Sequence, residues 1–320
     1  MATGLRIVLG LGLMVYVVSR VGLRETLLPV LGEPWVLAIL VGLPVFGASI
    51  EAERLRVLFR AAGLNLTWHG AYRVVPVSTF FNFCIPGGTG GDVVKLYYLA
   101  QDNRSRGLET ATVMLADRAI ALFAVLLFVL GMMVVNHEVV LANVVLRGLG
   151  IVVLAGMAAI ASFVLLSWSR SFRGSGVYRW LTSRSPGGRY LERIAEALHA
   201  FQTQKKSIAV ACLLSLAGHI AVAATYVVVA SVVIPSAPWA QVAFLTMMGM
   251  VANAIPLTPG GLGVGEAAFD QLFSLMGYSG GAALLLLWRL GMLPLALLGA
   301  VIYITGQAGA RRVARAARIS

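Results

Sequence analysis

The chain has 320 residues, of which 59% are apolar and 12% charged, and its mean hydropathy is +0.88. The charged fraction is about half of that in ordinary globular proteins, so the composition argues against a soluble protein. The strict alternation of apolar and polar residues that is typical of an outer-membrane β-barrel is also absent. We therefore predict an all-α, polytopic membrane protein.

Six segments are apolar over enough residues to cross about 30 Å of hydrocarbon as helices. In chain order they are residues 5–20, 35–52, 110–135, 148–168, 207–234 and 280–305. The first segment has the basic and apolar parts of a signal peptide, but no small-x-small cleavage site follows it. We interpret it as a retained helix and predict six full transmembrane helices.

Basic residues outnumber acidic residues by 25 to 13, which gives a net charge of +12. Eight of the basic residues lie between Arg170 and Lys206, and four more lie between Arg311 and Arg318. Basic clusters beside spanning helices mark the cytoplasmic side, where they also contact anionic lipids. Topology therefore explains the charge without a nucleic-acid partner, and we expect both termini in the cytoplasm.

Two further apolar stretches are interrupted by proline and glycine. Residues 68–100 begin and end on the cytoplasmic side and are broken at Pro86-Gly87-Gly88, whereas residues 239–277 begin and end outside and are broken at Pro256 and Pro259-Gly260-Gly261. A segment that returns to its own side of the membrane does not span it. We predict that each stretch is a re-entrant hairpin of two short helices.

These elements make a single membrane domain over residues 1–320, built from two inverted repeats. Repeat one covers about 35–135 and repeat two about 207–305. A basic cytoplasmic loop, residues 170–206, joins them. Its apolar residues follow helical spacing among charges, so we predict that it contains an amphipathic helix on the membrane surface.

The two hairpins carry the same motif: an asparagine, a proline, Gly-Gly-x-Gly and an acidic residue. The members are Asn82, Pro86, Gly87, Gly88, Gly90, Gly91 and Asp92 in the first hairpin, and Asn253, Pro256, Pro259, Gly260, Gly261, Gly263 and Glu266 in the second. A single Gly-Gly-x-Gly would fit ordinary close packing of helices. Two copies that enter from opposite faces match secondary transporters, in which paired breaks mark the binding site.

An intramembrane arginine follows each hairpin: Arg118 comes 26 residues after Asp92, and Arg289 comes 23 residues after Glu266. We expect both arginines to be buried. A break leaves free N–H groups at the start of the next half-helix, which attract an anion such as phosphate. The arginines cannot deprotonate, and their planar guanidinium groups suit a phosphodiester. The alternative is that they pair with Asp117, Asp92 or Glu266 and hold the repeats together.

The other candidate residues have two interpretations each. Asp92 and Glu266 suit a cationic headgroup or a proton, but acids in a first helical turn also serve as ordinary dipole partners. Lys95 is either a headgroup contact or an interfacial side chain. Glu51, Glu53, Arg54 and Arg56 are predicted to form a surface network of ion pairs at a helix end. No spacing indicates a metal site, and we expect no cofactor.

At these residues the chain resembles the family named for the transmembrane region of lysylphosphatidylglycerol synthase. Asn82, Pro86 and Gly90-Gly91-Asp92 match its first signature, with Asp117-Arg118 in the next helix, and Pro259 to Glu266 match the second. The resemblance covers nearly the whole chain and implies a multi-pass protein of the bacterial inner membrane. The family's best-known member, the multiple peptide resistance factor, is regarded as flipping aminoacylated phosphatidylglycerol.

This resemblance implies a flippase rather than an enzyme. Its substrate is an anionic or lipid-linked headgroup: a phospholipid, an aminoacyl-phospholipid or a polyprenyl-phosphate-linked sugar. Lys95 stands where the family often has arginine, and the sequence contains no synthase domain, so the lipid stays open. The oligomeric state stays open too. Two alternatives remain: a membrane transferase with a lipid-linked donor, and a scaffold that recruits a lipid or glycan synthase as partner.

Overall fold

A computed structural model describes residues 23–84, 90–169, 201–253 and 264–316, together with Ser175, Gly176 and Trp180. All regular elements in these ranges are helices. They are α1 (Leu23–Leu31), α2 (Pro34–Ala61), α3 (Trp68–Cys84), α4 (Gly90–Asp102), α5 (Gly107–Val135), α6 (His137–Ala142), α7 (Val144–Trp168), α8 (Lys205–Val233), α9 (Trp239–Asn253), α10 (Val264–Ser274) and α11 (Gly281–Ala316). Short 3₁₀ turns occupy Arg104–Arg106 and Phe201–Thr203.

Five of the described helices are long and apolar enough to cross a membrane: α2, α5, α7, α8 and α11. They coincide with five of the six predicted spans, and the sixth, residues 5–20, lies outside the described residues. Exposed tryptophans stand at or next to the start of α2, α3 and α9, namely Trp35, Trp68 and Trp239. Tryptophan concentrates at membrane–water interfaces. The prediction of an all-α, polytopic membrane protein is confirmed.

Each predicted hairpin consists of two short helices. The first is formed by α3 and α4, with 17 and 13 residues, and the second by α9 and α10, with 15 and 11 residues. At 1.5 Å per residue, their lengths are about 17–26 Å. All four are shorter than about 30 Å of hydrocarbon, as half-spanning helices must be. Their re-entrant path and the repeat relationship stay predictions.

Several predicted features lie outside the described residues. The breaks of the two hairpins fall at 85–89 and 254–263, so the structure gives no account of Pro86, Gly87, Gly88, Pro256, Pro259, Gly260, Gly261 and Gly263. Most of the 170–206 loop, with its predicted amphipathic helix, also falls there.

The chain divides into two compact units. The first unit takes in the chain up to Ala52, Trp68–Tyr98 and the residues from Ile220 onward. Within it, α11 packs along α3 and α10, and α9 packs against α10. The second unit contains Glu53–Thr67 and Leu99–His219, and within it α5 and α6 pack against α7.

Glycines allow α11 to approach its neighbours at backbone distance. A Cβ atom at Gly299 would overlap the main-chain carbonyl of Pro76 in α3, and one at Gly291 would overlap that of Leu40 in α2. Gly281 has the same relation to the backbone of α10. Lipid tails are as apolar as leucine, so helices in a membrane associate largely through such close contacts. We infer that α11 is the central helix of the first unit.

The Gly299→Ala variant tests this close approach. The added methyl group forces α11 away from α3, and we expect a loss of about 1–3 kcal/mol in stability, as for other overpacked interiors. Thermal unfolding in detergent measures the effect. The matched control is Gly42→Ala in α2, where a Cβ meets nothing within 4 Å. Equal melting temperatures for the two variants would contradict the assignment.

Candidate functional site

The second hairpin is joined to α11 by a buried ion pair. Glu266 lies in the first turn of α10, and its Oε1 is 2.8 Å from Nε of Arg289 in α11. The two side chains are 4% and 16% exposed. This distance makes an ion pair, although the N–H of Nε is not aligned as a hydrogen bond to the carboxylate. Of the two interpretations of Arg289, the structure shows pairing with an acid.

The carboxylate of Glu266 lies beside two sources of positive charge. The guanidinium of Arg289 supplies a positive charge at close range. The N-terminus of α10 supplies a partial positive charge from the helix dipole and unbonded N–H groups. An anion of a ligand would find the same two partners if it replaced the carboxylate.

The first hairpin has an ion pair of opposite polarity. Lys95 in α4 pairs through Nζ with Oε1 of Glu51 in α2, and both residues belong to the first unit. The lysine side chain is 3% exposed, so it does not reach water as an interfacial side chain does. Glu51 is 35% exposed. The first hairpin thus contributes the cation of its pair, Lys95, whereas the second hairpin contributes the anion of its pair, Glu266.

An asparagine closes the first hairpin across its break. Oδ1 of Asn82, in the last turn of α3, accepts a 2.9 Å hydrogen bond from the backbone N–H of Gly91, the second residue of α4. Gly90 precedes it as the buried first residue of that helix. A Cβ at Gly91 would lie 2.1 Å from the main-chain oxygen of Ser78 and 2.6 Å from Oδ1 of Asn82, so only glycine fits at this point. Asn82, predicted to bind substrate, therefore holds the hairpin together.

The second hairpin repeats this arrangement with one difference. Asn253 ends α9, and its Oδ1 lies against Gly265, the second residue of α10, where a Cβ would overlap it. Oδ1 of Asn253 is buried and accepts no hydrogen bond from any residue that the structure describes. In both hairpins the glycine directly precedes the acid, Asp92 or Glu266. The Asn–Gly contact thus fixes the first turn of α4 and of α10, in which Asp92 and Glu266 lie.

Gly265 was missing from the predicted site. The signal that identifies it is the repeated order Gly-acid at the start of α4 and α10, which the two motifs share. Asp92, in the first turn of α4, is half-buried.

The second unit contains a buried charge cluster that the sequence did not reveal. Arg54 donates from Nε to Oδ1 of Asp117 at 2.7 Å and from Nη2 to Oδ2 at 3.0 Å. Its Nη1 donates to Oγ of Ser215 at 3.1 Å. The Arg54 and Asp117 side chains are 10% and 3% exposed. This pair has the two-pronged geometry in which arginine binds carboxylates most strongly.

The prediction of a surface network at the end of α2 is wrong. Arg54 and Arg56 are buried, and the four residues belong to three separate pairs. Glu51 pairs with Lys95, Arg54 with Asp117, and Glu53 with Arg56. Two of these four charges, Glu51 and Arg54, therefore have partners far along the chain that helical spacing does not indicate.

The expected burial of Arg118 is also wrong. Arg118 follows Asp117 in α5, but its side chain is exposed. Successive residues of a helix point about 100° apart, since 3.6 residues make a turn. With Asp117 directed into the second unit, Arg118 points away from Asp117 on another face of α5.

Within the described ranges, no group of three or more His, Cys, Asp or Glu residues is arranged to hold a metal ion. The charged groups of the candidate site are instead the two ion pairs of the first unit, and the Arg54 cluster belongs to the second unit.

A family model described as the lysylphosphatidylglycerol synthase TM region matches residues 3–299. The match includes both hairpins and every ion pair described above. The chain belongs to this family. No curated protein and no solved structure matches the chain. Membership of the lysylphosphatidylglycerol synthase TM region family, together with the spanning helices, makes this a multi-pass membrane protein linked to lipid biology.

The Asp117→Asn variant tests how much the Arg54 cluster contributes to the stability of the protein. It leaves a buried guanidinium without its carboxylate, and we expect a loss of about 3–5 kcal/mol in stability. Glu109→Gln is the matched control, because it breaks the ion pair with Arg106, whose two side chains are both exposed (47% and 42%), and for which about 0–1 kcal/mol is expected. Thermal unfolding of both variants in one detergent measures the difference. Similar unfolding temperatures would show that the cluster contributes little.

The Gly91→Ala variant tests the closure of the first hairpin. The methyl group displaces Oδ1 of Asn82, and we expect faster hydrogen exchange of the amides in the first turns of α4. Mass spectrometry of the protein in nanodiscs measures that exchange. Gly107→Ala, at the start of α5, is the control, since a Cβ there meets nothing within 4 Å. Unchanged hydrogen exchange in Gly91→Ala would show that Asn82 does not hold α3 and α4 together.

Proposed function

We propose that the protein is a lipid flippase that moves an anionic or lipid-linked headgroup across the bacterial inner membrane. The observation that carries the proposal is the buried Glu266–Arg289 pair, placed at the start of the second half of a broken hairpin. Membership of a membrane family linked to lipid biology supports it.

The Glu266–Arg289 pair supplies a binding site when Arg289 exchanges the carboxylate for an anion of the lipid. An arginine inside a membrane costs at least about 2.5–3.5 kcal/mol on insertion scales, so it needs an anion at all times. Glu266 is that anion in the structure. A headgroup phosphate offers the same geometry to Arg289 and to the N-terminus of α10, so one anion replaces another. The exchange leaves no charge without a partner.

The released carboxylate of Glu266 then suits the cationic or hydroxylated part of the same headgroup. The first hairpin offers the same two kinds of charge in Lys95 and Glu51. The acyl chains stay in the hydrocarbon while the headgroup crosses. Inverted repeats, with a hairpin from each face, supply alternating access.

The topology follows from the basic residues. With the 170–206 loop in the cytoplasm, both termini are cytoplasmic and α4 ends near the inner face. The same basic residues contact anionic lipids of that leaflet. A lipid or glycan synthase would be a natural partner, because such an enzyme makes the lipid that a flippase moves.

Reconstituted vesicles test the proposal. Purified protein is placed in liposomes with fluorescent phosphatidylglycerol, an aminoacylated phosphatidylglycerol, phosphatidylcholine or a polyprenyl phosphate, and bleaching of outer-leaflet dye follows the initial rate of flipping. We expect faster flipping than in empty vesicles for at least one lipid with an anionic group. No acceleration for any of them would exclude a flippase, and conversion of a lipid to a new product would favour a transferase.

The Arg289→Gln variant connects the activity to the site. We expect its flipping rate to fall at least about tenfold, because a hydrogen bond to a charged group contributes roughly 1.5–3 kcal/mol. Arg147→Gln is the matched control, since Arg147 is an exposed arginine at the start of α7. If Arg289→Gln flips lipid as fast as the control, the Glu266–Arg289 pair is not the site.

A further inference from the structure

Tyr226 is a buried tyrosine whose ring contacts the neighbours of the Glu266–Arg289 pair. It lies in α8, within the first unit, and is 1% exposed. Its ring stacks on that of Trp288, with 5.4 Å between the centroids and 24° between the planes, and it packs tilted against Phe269 at 5.6 Å. Trp288 directly precedes Arg289 in α11, and Phe269 follows Glu266 by one turn of α10. The ring is thus held by the neighbours of both charged residues.

The hydroxyl of Tyr226 has a weak hydrogen-bond acceptor. It donates to Sδ of Met250 in α9 at 3.5 Å, and a thioether sulfur is a poor acceptor. A buried phenol normally bonds a better partner. The charges of Glu266 and Arg289 both act on this phenol. A carboxylate would bind it far better than the thioether does, because a hydrogen bond to an ionised acceptor is roughly twice as strong as a neutral one.

The exchange of partners at Arg289 creates a need for such a donor. When a headgroup phosphate takes the guanidinium, the buried carboxylate of Glu266 loses its cation. A buried charge without a partner is strongly unfavourable. An aminoacyl headgroup brings its own ammonium group to the carboxylate, whereas phosphatidylglycerol or a polyprenyl phosphate brings none. A headgroup of the second kind needs a donor from the protein.

We propose that Tyr226 receives the carboxylate of Glu266 when a phosphate occupies Arg289, and that it thereby admits headgroups that carry no cation. The proposal rests on the flippase function proposed above. The tyrosine ring is fixed by its two aromatic neighbours, so the flexible glutamate side chain makes the movement. The tyrosine hydroxyl exchanges the sulfur of Met250 for a carboxylate oxygen, and no charge is left without a partner.

Flipping of two kinds of lipid by Tyr226→Phe tests this selectivity. Phosphatidylglycerol and a polyprenyl phosphate carry no cation, whereas an aminoacylated phosphatidylglycerol carries an ammonium group. We expect Tyr226→Phe to flip the cation-free lipid at least about tenfold more slowly than the wild type, because a hydrogen bond to a charged group is lost, and to flip the aminoacylated lipid nearly as fast. Tyr303→Phe is the matched control, since Tyr303 lies about 21 Å further along α11 than Arg289 and contacts Phe81 of α3.

Several results of this assay would overturn the proposal. One is equal slowing of both kinds of lipid in Tyr226→Phe, and another is an unchanged rate for the cation-free lipid. A wild type that flips the aminoacylated lipid alone would also overturn it, since the site would then not admit a headgroup without a cation.

A double-mutant cycle tests the contact between Tyr226 and Glu266 without any lipid. Arg289→Met removes the guanidinium and leaves the carboxylate to find another donor, as a bound phosphate would. Thermal unfolding in detergent is measured for the wild type, Tyr226→Phe, Arg289→Met and the double variant. We expect Tyr226→Phe to leave the melting temperature almost unchanged in the wild type and to lower it by several degrees in Arg289→Met, because residues in contact are not additive. Equal shifts in both backgrounds would overturn the proposal.

Fluorine NMR provides the second measurement if Arg289→Met does not fold. A fluorotyrosine is placed at position 226 in nanodiscs, and its fluorine chemical shift is followed while dihexanoyl-phosphatidylglycerol is added to the protein with Glu266 and to Glu266→Gln. We expect a change with Glu266 that is absent or smaller in Glu266→Gln, and equal responses would overturn the proposal. If the wild type moves no lipid, the flippase function fails, whereas the double-mutant cycle still decides whether Tyr226 receives the carboxylate.

Discussion

Ionised side chains inside a membrane must be paired, and this requirement sets the direction of the helices that carry them. Each unpaired charge at the bilayer centre costs at least about 2.5–3.5 kcal/mol on insertion scales, which is a large part of a protein's net stability. In the first unit Lys95 is tied to Glu51 and Glu266 to Arg289. In the second unit Arg54 is tied to Asp117. Each pair joins two different helices.

Close packing holds these helices together, but it does not determine the direction in which the charged side chains point. Helices in lipid gain little from apolar contact alone, and the glycines of α11 let backbones meet where side chains would hold them apart. The Asn82–Gly91 bond serves the hairpin in the same way, because it ties the last turn of α3 to the first turn of α4. Glycine is required at that point by contact with an amide oxygen rather than by backbone conformation.

Hydropathy was enough to predict the spans, because crossing the hydrocarbon depends on length and composition rather than on neighbours. Proline and glycine were enough to locate the two pairs of short helices. The partners of Arg54 and Lys95 could not be predicted, since helical spacing offers Arg54 a local partner in Glu51 and Lys95 a local partner in Asp92, and only the packed structure selects among the candidates. The bond from Gly91 to Asn82 could not be predicted either, because an amide that binds a ligand and one that joins two helices are identical in sequence.

The opposite polarity of the two hairpin pairs has an electrical consequence. Lys95 gives the first hairpin a positive charge and Glu266 gives the second a negative charge. If the hairpins moved in opposite directions, the two displacements would add, and the step would respond to the membrane voltage by up to about 2.3 kcal/mol per elementary charge per 100 mV. If they moved in the same direction, the displacements would cancel, and the step would be electrically silent. The arrangement of these two charges therefore connects the direction of hairpin motion to the membrane potential.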